Sequence, residues 1–146
     1  MLKRILVATD FSLAANLAWQ FALDLACTHN ATLTLLHVGM PRPEAAPQTI
    51  LRDHERVLRG AQRRVDERIR HAPARSLSGG GLVVAGEPVT VIAHTAATTE
   101  ADLIVVGSHE GRGHLEAVVV GSVAERLIRV APCPVVVVRR SARYAA

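Results

Sequence analysis

Four glycines and a serine within a short stretch of this chain could bind an anion. In chain order they are Gly107, Gly111, Gly113, Gly121 and Ser122. Glycine lets backbone N–H groups approach a ligand closely, and the start of a helix adds partial positive charge. The hydroxyl of Ser122 can donate to a phosphate or cap a helical turn. The stretch is a candidate phosphate site, although glycine after a strand is also ordinary turn chemistry.

The same stretch lacks the patterns of three other kinds of site. No lysine follows the glycines, as a lysine-bearing phosphate loop would require. His109 and His114 flank the glycines, but no cysteine or acidic residues stand at a zinc-site spacing. Ser108 and Ser122 lack the nucleophile-elbow sequence of a serine hydrolase. We therefore predict no metal-ligating and no catalytic residue, and we identify no evident general base.

Asp10 is a second candidate residue, in the sequence ATDFS after the first apolar run. Its carboxylate could cap the helix that follows or could face a ligand beyond the strand. The two roles are compatible.

Strand-like and helix-like patterns alternate along the chain. Five apolar runs predict strands: KRILVAT, ATLTLLHV, LVVAG, DLIVVG and PCPVVVVRR. The first helix is predicted to begin after an N-cap at Ser12 and to end near Asn30. The second helix, which is rich in arginine, is predicted from about residue 49 to about residue 71. A third helix is predicted with Pro88 in its first turn, and a fourth is predicted within EAVVVGSVAERLIRVA.

This alternation predicts an α/β fold, a parallel sheet with helices on both faces. Right-handed crossovers bring the loops that follow the strands to one edge of the sheet. Ligands bind there, where the strand order reverses. The residues expected at this edge are Asp10, His37, Val38 and Gly107.

Length and composition fit one globular domain over residues 1–146, with an aliphatic core, since 49% of residues are hydrophobic and 3% aromatic. No apolar run approaches the roughly 20 residues of a membrane helix, and Asp10 interrupts the first run too soon for a signal peptide.

Cys27 and Cys133 fit neither a disulfide framework nor a metal spacing. We expect both to be reduced packing residues and the protein to be cytoplasmic.

The net charge of +4 comes largely from residues 51–75, where eight arginines meet four acids. Apolar residues recur there at helical spacing, which predicts a helix with one buried face and a solvated charged face. The alternative is that the arginines bind the phosphate backbone of a nucleic acid. No aromatic stacking platform or DNA-reading motif accompanies the arginines, so we do not expect nucleic acid as a partner.

Four segments carry a resemblance to a known family: ILVATDFS, LTLLHV, GEPVTVIAHTAATTEADLIVVGSH and VGSVAERLIRVAPCPVVVV. In this order, and over nearly the whole chain, they resemble the universal stress protein (UspA) family. The resemblance implies a Rossmann-like fold, similar to the adenine nucleotide alpha hydrolases, with a five-stranded parallel sheet and four helices. Many members bind ATP through Gly-x2-Gly-x9-Gly-Ser/Thr, and a second branch lacks the motif and does not bind. The implied function is an ATP-binding sensor or adaptor in the stress response, with Mg²⁺ and at most slow hydrolysis. The alternative is a nucleotide-free dimeric interaction module.

This chain departs from that motif by one residue. Three residues separate Gly107 from Gly111 where the motif has two, while the nine-residue spacing from Gly111 to Gly121 is intact. Another alignment places Glu110 at the second glycine, with His114 as the extra residue, and would bring a carboxylate near the phosphates. We favour Gly111, because a glycine-rich loop can absorb the additional chain of up to about 3.5 Å.

Carried over residue by residue, the resemblance implies nine nucleotide contacts. Adenine and ribose would be bordered by Ala8, Asp10, Val38, Val106 and Gly107. The phosphates would be held by Gly111, Gly121, Ser122 and Val123.

The fifth strand, Val135–Val138, should lie at a sheet edge, where an unprotected row of valines invites pairing. The resemblance implies a homodimer in which this strand pairs antiparallel with its copy across a two-fold axis. The alternative is an edge shielded by the tail of residues 139–144.

Overall fold

The computed structural model describes residues 1–40, 47–72, 79–108 and 120–140, with the backbone alone for residues 47–53. Strands and helices alternate along these ranges: β1 (Arg4–Thr9), α1 (Leu13–His29), β2 (Thr32–Gly39), α2 (Pro47–Arg70), β3 (Gly81–Ala85), α3 (Pro88–Thr98), β4 (Leu103–Gly107), α4 (Ser122–Val130) and β5 (Val135–Val138). The strands form one parallel sheet in the order β3-β2-β1-β4-β5. The predicted fold class is confirmed.

Two apolar layers sandwich the central strand β1. Ile5 and Val7 face the layer that contains α1 and α2, whereas Leu6 faces the layer of α3 and α4. All three side chains are at most 1% exposed, because a strand covered on both faces alternates between two interiors. Trp19 of α1 is the one buried aromatic side chain in an otherwise aliphatic core, among the residues described.

Local capping chemistry sets the helix ends. The Ser12 hydroxyl accepts from the amide of Ala15 at 3.2 Å, and Asn30 ends α1 in the left-handed conformation, both as predicted. Pro88 is the first residue of α3, as expected. The fourth helix begins at Ser122, directly after Gly121.

The arginine-rich helix α2 buries Ala61 and Val65 against the sheet and exposes most of its arginines, as expected. The expectation for the cysteines is wrong in part. Cys27 is exposed, because it lies on the solvent side of α1 next to the buried Ala26, while Cys133 is half-buried. Over the described ranges, no helix is both long enough and apolar enough to span a membrane.

The order of the strands reverses at β1. From β1 the chain proceeds outward through β2 to β3, and then crosses back to β4 and β5 on the other side. The register pairs Val7 with Val105, so the residues after β1 and β4 lie next to each other at the carboxyl edge. This is the position at which a parallel α/β sheet leaves a crevice.

Candidate functional site

A cavity of about 310 Å³ lies at the carboxyl edge of the sheet, between the ends of β1 and β4. Its walls come from β1, β2 and β4 and from the first turns of α1, α3 and α4. The lining includes eight residues that were singled out from the sequence: Ala8, Asp10, Val38, Val106, Gly107, Gly121, Ser122 and Val123. The ninth, Gly111, lies outside the described residues, as do Glu110 and His114, between which the two alignments differ.

Asp10 occupies the turn between β1 and α1. Its Oδ1 accepts a hydrogen bond from the amide of Ser12 at 2.9 Å, and Ser12 in turn caps α1. Asp10 therefore shapes the turn that precedes the helix, and the capping role belongs to Ser12. The carboxylate of Asp10 is exposed and is the only charged group among the described residues that line the cavity.

Gly107 ends β4 where the strand passes very close to the start of α1. A Cβ atom at this position would lie 2.5 Å from the carbonyl carbon of Ala14 and 2.7 Å from the amide nitrogen of Ala15. Real Cβ atoms do not approach backbone atoms so closely. Glycine is therefore required for packing at the floor of the cavity.

The first turn of α4 forms the opposite wall. Gly121 is the N-cap of this helix, with φ of 85°, and within the described part of the chain no side chain caps the helix start. The first amides of any helix lack partners within the helix, and here Ser122, Val123 and Ala124 all line the cavity. Unsatisfied amides and the helix dipole together favour an anion at this end.

The remaining walls are mostly apolar. Val38 and Val106 from the sheet and Ile92 from α3 present aliphatic surface to the cavity. Hydroxyl groups are supplied by Thr9, Ser12 and Ser108, of which Ser108 is 6% exposed. An apolar wall opposite a helix start suits a ligand that joins a flat, weakly polar ring to an anionic group.

Several residues that line the cavity were not expected from the sequence. Thr9 and Ser108 adjoin Asp10 and Gly107 along the chain, so this proximity could have found them. Pro88 and Ile92 belong to α3, and nothing in their sequence context indicates a cavity. They line it because α3 packs beside the carboxyl end of β2.

A charged network lies beside Pro88 at the start of α3. Glu87 accepts hydrogen bonds from the amide and the hydroxyl of Thr90, each at 2.8 Å, and pairs with Arg126 of α4 at 2.8 Å. These bonds, with that from the Thr90 amide the largest cause, lower the pKa of Glu87 from 4.5 to about 2. The network joins the two helices whose first turns line the cavity.

The described residues contain no cluster of three or more His, Cys, Asp or Glu side chains that could hold a metal ion. The oxygen ligands that the cavity lining offers to a metal ion are the Asp10 carboxylate and a few separate hydroxyl groups. This donor set fits a hard cation that takes most of its ligands from phosphate and water.

Comparison with known proteins assigns the whole chain to one family. The model of the universal stress protein family matches residues 1–139. A universal stress protein of Thermus aquaticus is 34% identical over 145 residues, which cover 95% of this chain and 100% of the relative.

Solved structures agree with this match. The universal stress protein UspA from Lactobacillus plantarum is 28% identical, with a TM-score of 0.73 over 94% of this chain and 97% of that one. A universal stress protein solved in complex with cAMP is 25% identical, with a TM-score of 0.64 over 95% of this chain and 98% of that one.

Proposed function

Because this chain belongs to the universal stress protein family, we propose that its cavity binds an adenine nucleotide, with ATP as the ligand. The protein would act as a nucleotide-dependent sensor or adaptor in the stress response, with at most slow hydrolysis. One observation carries the proposal. The described residues at the reversal of the strand order form one cavity that joins an apolar wall, the Asp10 carboxylate and a helix start without a side-chain cap.

The placement of the ligand follows from the chemistry of the walls. Adenine packs against Val38 and Val106, because a flat aromatic ring gains most from aliphatic surface. The ribose lies between Asp10 and Gly107, where the carboxylate can accept from a hydroxyl. The phosphates accept from the first amides of α4 and from the Ser122 hydroxyl.

Gly111 is proposed to complete the phosphate site from the adjoining segment. Mg²⁺ is proposed to accompany the triphosphate, since it prefers oxygen ligands and keeps several waters. Asp10 and Ser122 are the lining residues that could contact its hydration shell. Bound Mg²⁺ would supply positive charge beside the phosphates, and the Asp10 carboxylate would accept from a ribose hydroxyl.

The relative solved with cAMP supports an adenine nucleotide as the class of ligand. The cavity volume of about 310 Å³ is at the lower end of the range of about 300–1,000 Å³ that is typical of ligand pockets. ATP is proposed in preference to a monophosphate because the helix start offers several amides to a polyanion.

Isothermal titration of the full chain with ATP and magnesium tests the proposal. We expect ATP to bind and GTP to bind more weakly, because an apolar ring site recognises the base. Failure to detect heat at high ATP would overturn the proposal and favour a nucleotide-free interaction module.

The variant Ser122→Glu distinguishes an effect on ligand binding from an effect on folding. A carboxylate in the first turn of α4 interacts favourably with the helix dipole, by roughly 0.3–1 kcal/mol, so stability should hold or rise. The same charge should repel the phosphates and weaken ATP binding at least about tenfold, or roughly 1.4 kcal/mol. The matched control Ser122→Gln has nearly the same size without the charge and should lose much less affinity. Equal losses in the two variants would contradict phosphate binding at α4.

We also propose that the protein forms a homodimer through β5. Val135–Val138 lies at the edge of the sheet next to β4, and Val135, Val136 and Val137 are only half-buried. An edge strand of four valines is a ready template for pairing with a second copy.

A further inference from the structure

Phe11 has an unusual backbone conformation in the turn between β1 and α1. Its φ of 61° lies in the left-handed region, which bulky side chains rarely adopt. Such a conformation persists only where the surrounding structure enforces it, and it occurs often at functional sites. Phe11 is not among the described lining residues of the cavity, but the preceding residue, Asp10, is.

Two side chains from other elements hold the Phe11 ring. The ring of His37, near the end of β2, lies 4.6 Å from it between centroids, and the guanidinium carbon of Arg64 on α2 lies 4.0 Å from its centroid. Aromatic and cation–π contacts at these distances are favourable. We call Phe11, His37 and Arg64 the Phe11 stack.

The stack is tied back to the same turn. Nδ1 of His37 lies 2.7 Å from the carbonyl oxygen of Thr9. Since a carbonyl oxygen can only accept, Nδ1 carries the hydrogen and donates it. His37 is thereby fixed against the backbone of β1, just before the turn that its ring supports.

The conformation of Phe11 determines how Asp10 is held. The amide of Phe11 donates to Oγ1 of Thr9 at 3.0 Å, and the amide of Ser12 donates to Oδ1 of Asp10 at 2.9 Å. Rotation of Phe11 out of the left-handed region would turn the Ser12 amide away from Asp10. The bond from the Ser12 amide to Oδ1 thus fixes how the Asp10 carboxylate is turned.

We infer that Phe11, in contact with His37 and Arg64, is a positioning residue that sets the orientation of the Asp10 carboxylate at the cavity. None of the three stack residues is among the described residues that line the cavity, so an effect on a ligand passes through the lining residues of the turn, of which Asp10 alone carries a charge. Arg68, one turn after Arg64, donates to Oδ1 of Asn16 on α1. α2 therefore holds both the turn and the first part of α1. The role towards a ligand rests on the proposed nucleotide binding, whereas the control of Asp10 does not.

Arg64→Gln tests the inference, with Arg63→Gln as the matched control because Arg63 is the exposed neighbour on the same helix. In titrations with ATP and magnesium we expect Arg64→Gln to weaken binding about two- to tenfold, as for loss of one cation–π or aromatic contact. Arg63→Gln should bind like the wild type. Phe11→Leu should also weaken binding, whereas Phe11→Tyr and Phe21→Leu, a change at another half-buried phenylalanine, should not.

A double-mutant cycle distinguishes positioning from general loss of structure. If the effect passes through the Asp10 carboxylate, Arg64→Gln should cause no further loss in an Asp10→Asn background. Additive losses would overturn the inference while leaving nucleotide binding intact.

A measurement without ligand separates this inference from the proposed function. The amide chemical shift of Ser12 reports its hydrogen bond to Asp10, and it should move in Arg64→Gln but not in Arg63→Gln. If the wild type fails to bind ATP while the Ser12 signal moves as expected, the proposed function falls and the positioning role stands. An unmoved Ser12 signal in Arg64→Gln overturns the positioning role.

Discussion

At the start of α3, Glu87 takes a position that shorter polar side chains usually occupy. Its longer side chain reaches both the amide and the hydroxyl of Thr90, and its second oxygen pairs with Arg126. These groups stabilise the ionised carboxylate and lower the pKa of Glu87 to about 2. One residue thus caps α3 and links it to α4.

Glu87→Gln should lower the free energy of unfolding at neutral pH. It should also make that free energy fall less when the pH is lowered. Since the folded-state pKa is below the ordinary value of 4.5, the ionised form favours folding. That stabilisation is complete above about pH 4.5 and is lost as the pH falls towards about 2. Urea unfolding between neutral pH and pH 2 should show the wild type losing its advantage over the variant.

Glu55→Gln is the control for this measurement. Glu55 lies on the exposed face of α2, 3.9 Å from Arg59, and exposed pairs of this kind contribute little. A pH dependence that is the same in wild type and Glu87→Gln would contradict the role of the Glu87 network.

At the scale of elements, the close contact between β4 and α1 depends on one glycine. A Cβ at Gly107 would meet backbone atoms of Ala14, and backbone atoms cannot move aside as a flexible side chain can. Gly60 of α2 presents the opposite case, since among the described residues a Cβ there would meet no heavy atom within 4 Å beyond the neighbouring backbone of its own helix.

Alanine at these two glycines should therefore change stability in opposite directions. We expect Gly107→Ala to lower the free energy of unfolding by about 1–3 kcal/mol through overpacking. Gly60→Ala should raise it by about 0.5–1 kcal/mol, because alanine is the better helix former. Thermal or urea unfolding measures both. Full stability of Gly107→Ala would show that β4 does not approach α1 as closely as described.

At the scale of the whole molecule, β5 determines whether the sheet remains open at one side. The carbonyl groups of Pro134 and Val138 accept from Ile104 and Ser108, on the β4 side. Successive residues of a strand alternate in direction, so the amides of Val135 and Val137 point away from β4. These are the groups that a second copy would pair with.

Val137→Pro should convert the proposed dimer into a monomer. Proline removes the outward amide and is tolerated at an edge strand, so the fold should persist. Val137→Thr, of similar size and with the amide retained, should remain dimeric. Sedimentation equilibrium would give once or twice the chain mass of 15.6 kDa. A wild-type monomer, or a Val137→Pro dimer, would contradict pairing through β5.

Sequence patterns determined the fold class and the two ends of α1, and they placed candidate site residues at one edge of the sheet. Caps such as Ser12 and Asn30 depend on residues a few positions away, so local chemistry is sufficient to predict them. Alternating strands and helices force a parallel sheet, and that topology brings every loop after a strand to one edge. For this reason Asp10, Val38 and Gly107 line one cavity, whereas Ala8, Val106 and Val123 were singled out only by the family resemblance.

Only the tertiary structure decided how the elements pack around that edge. Ile92 reaches the cavity, Cys27 faces solvent, and His37 and Arg64 meet on Phe11 because of the rotation and spacing of whole helices. Those quantities depend on side-chain packing between segments far apart in the chain, and no local pattern encodes them. Asp10 could thus be chosen from its place after a strand, whereas the contacts of the Phe11 stack beside it were visible only in the folded molecule.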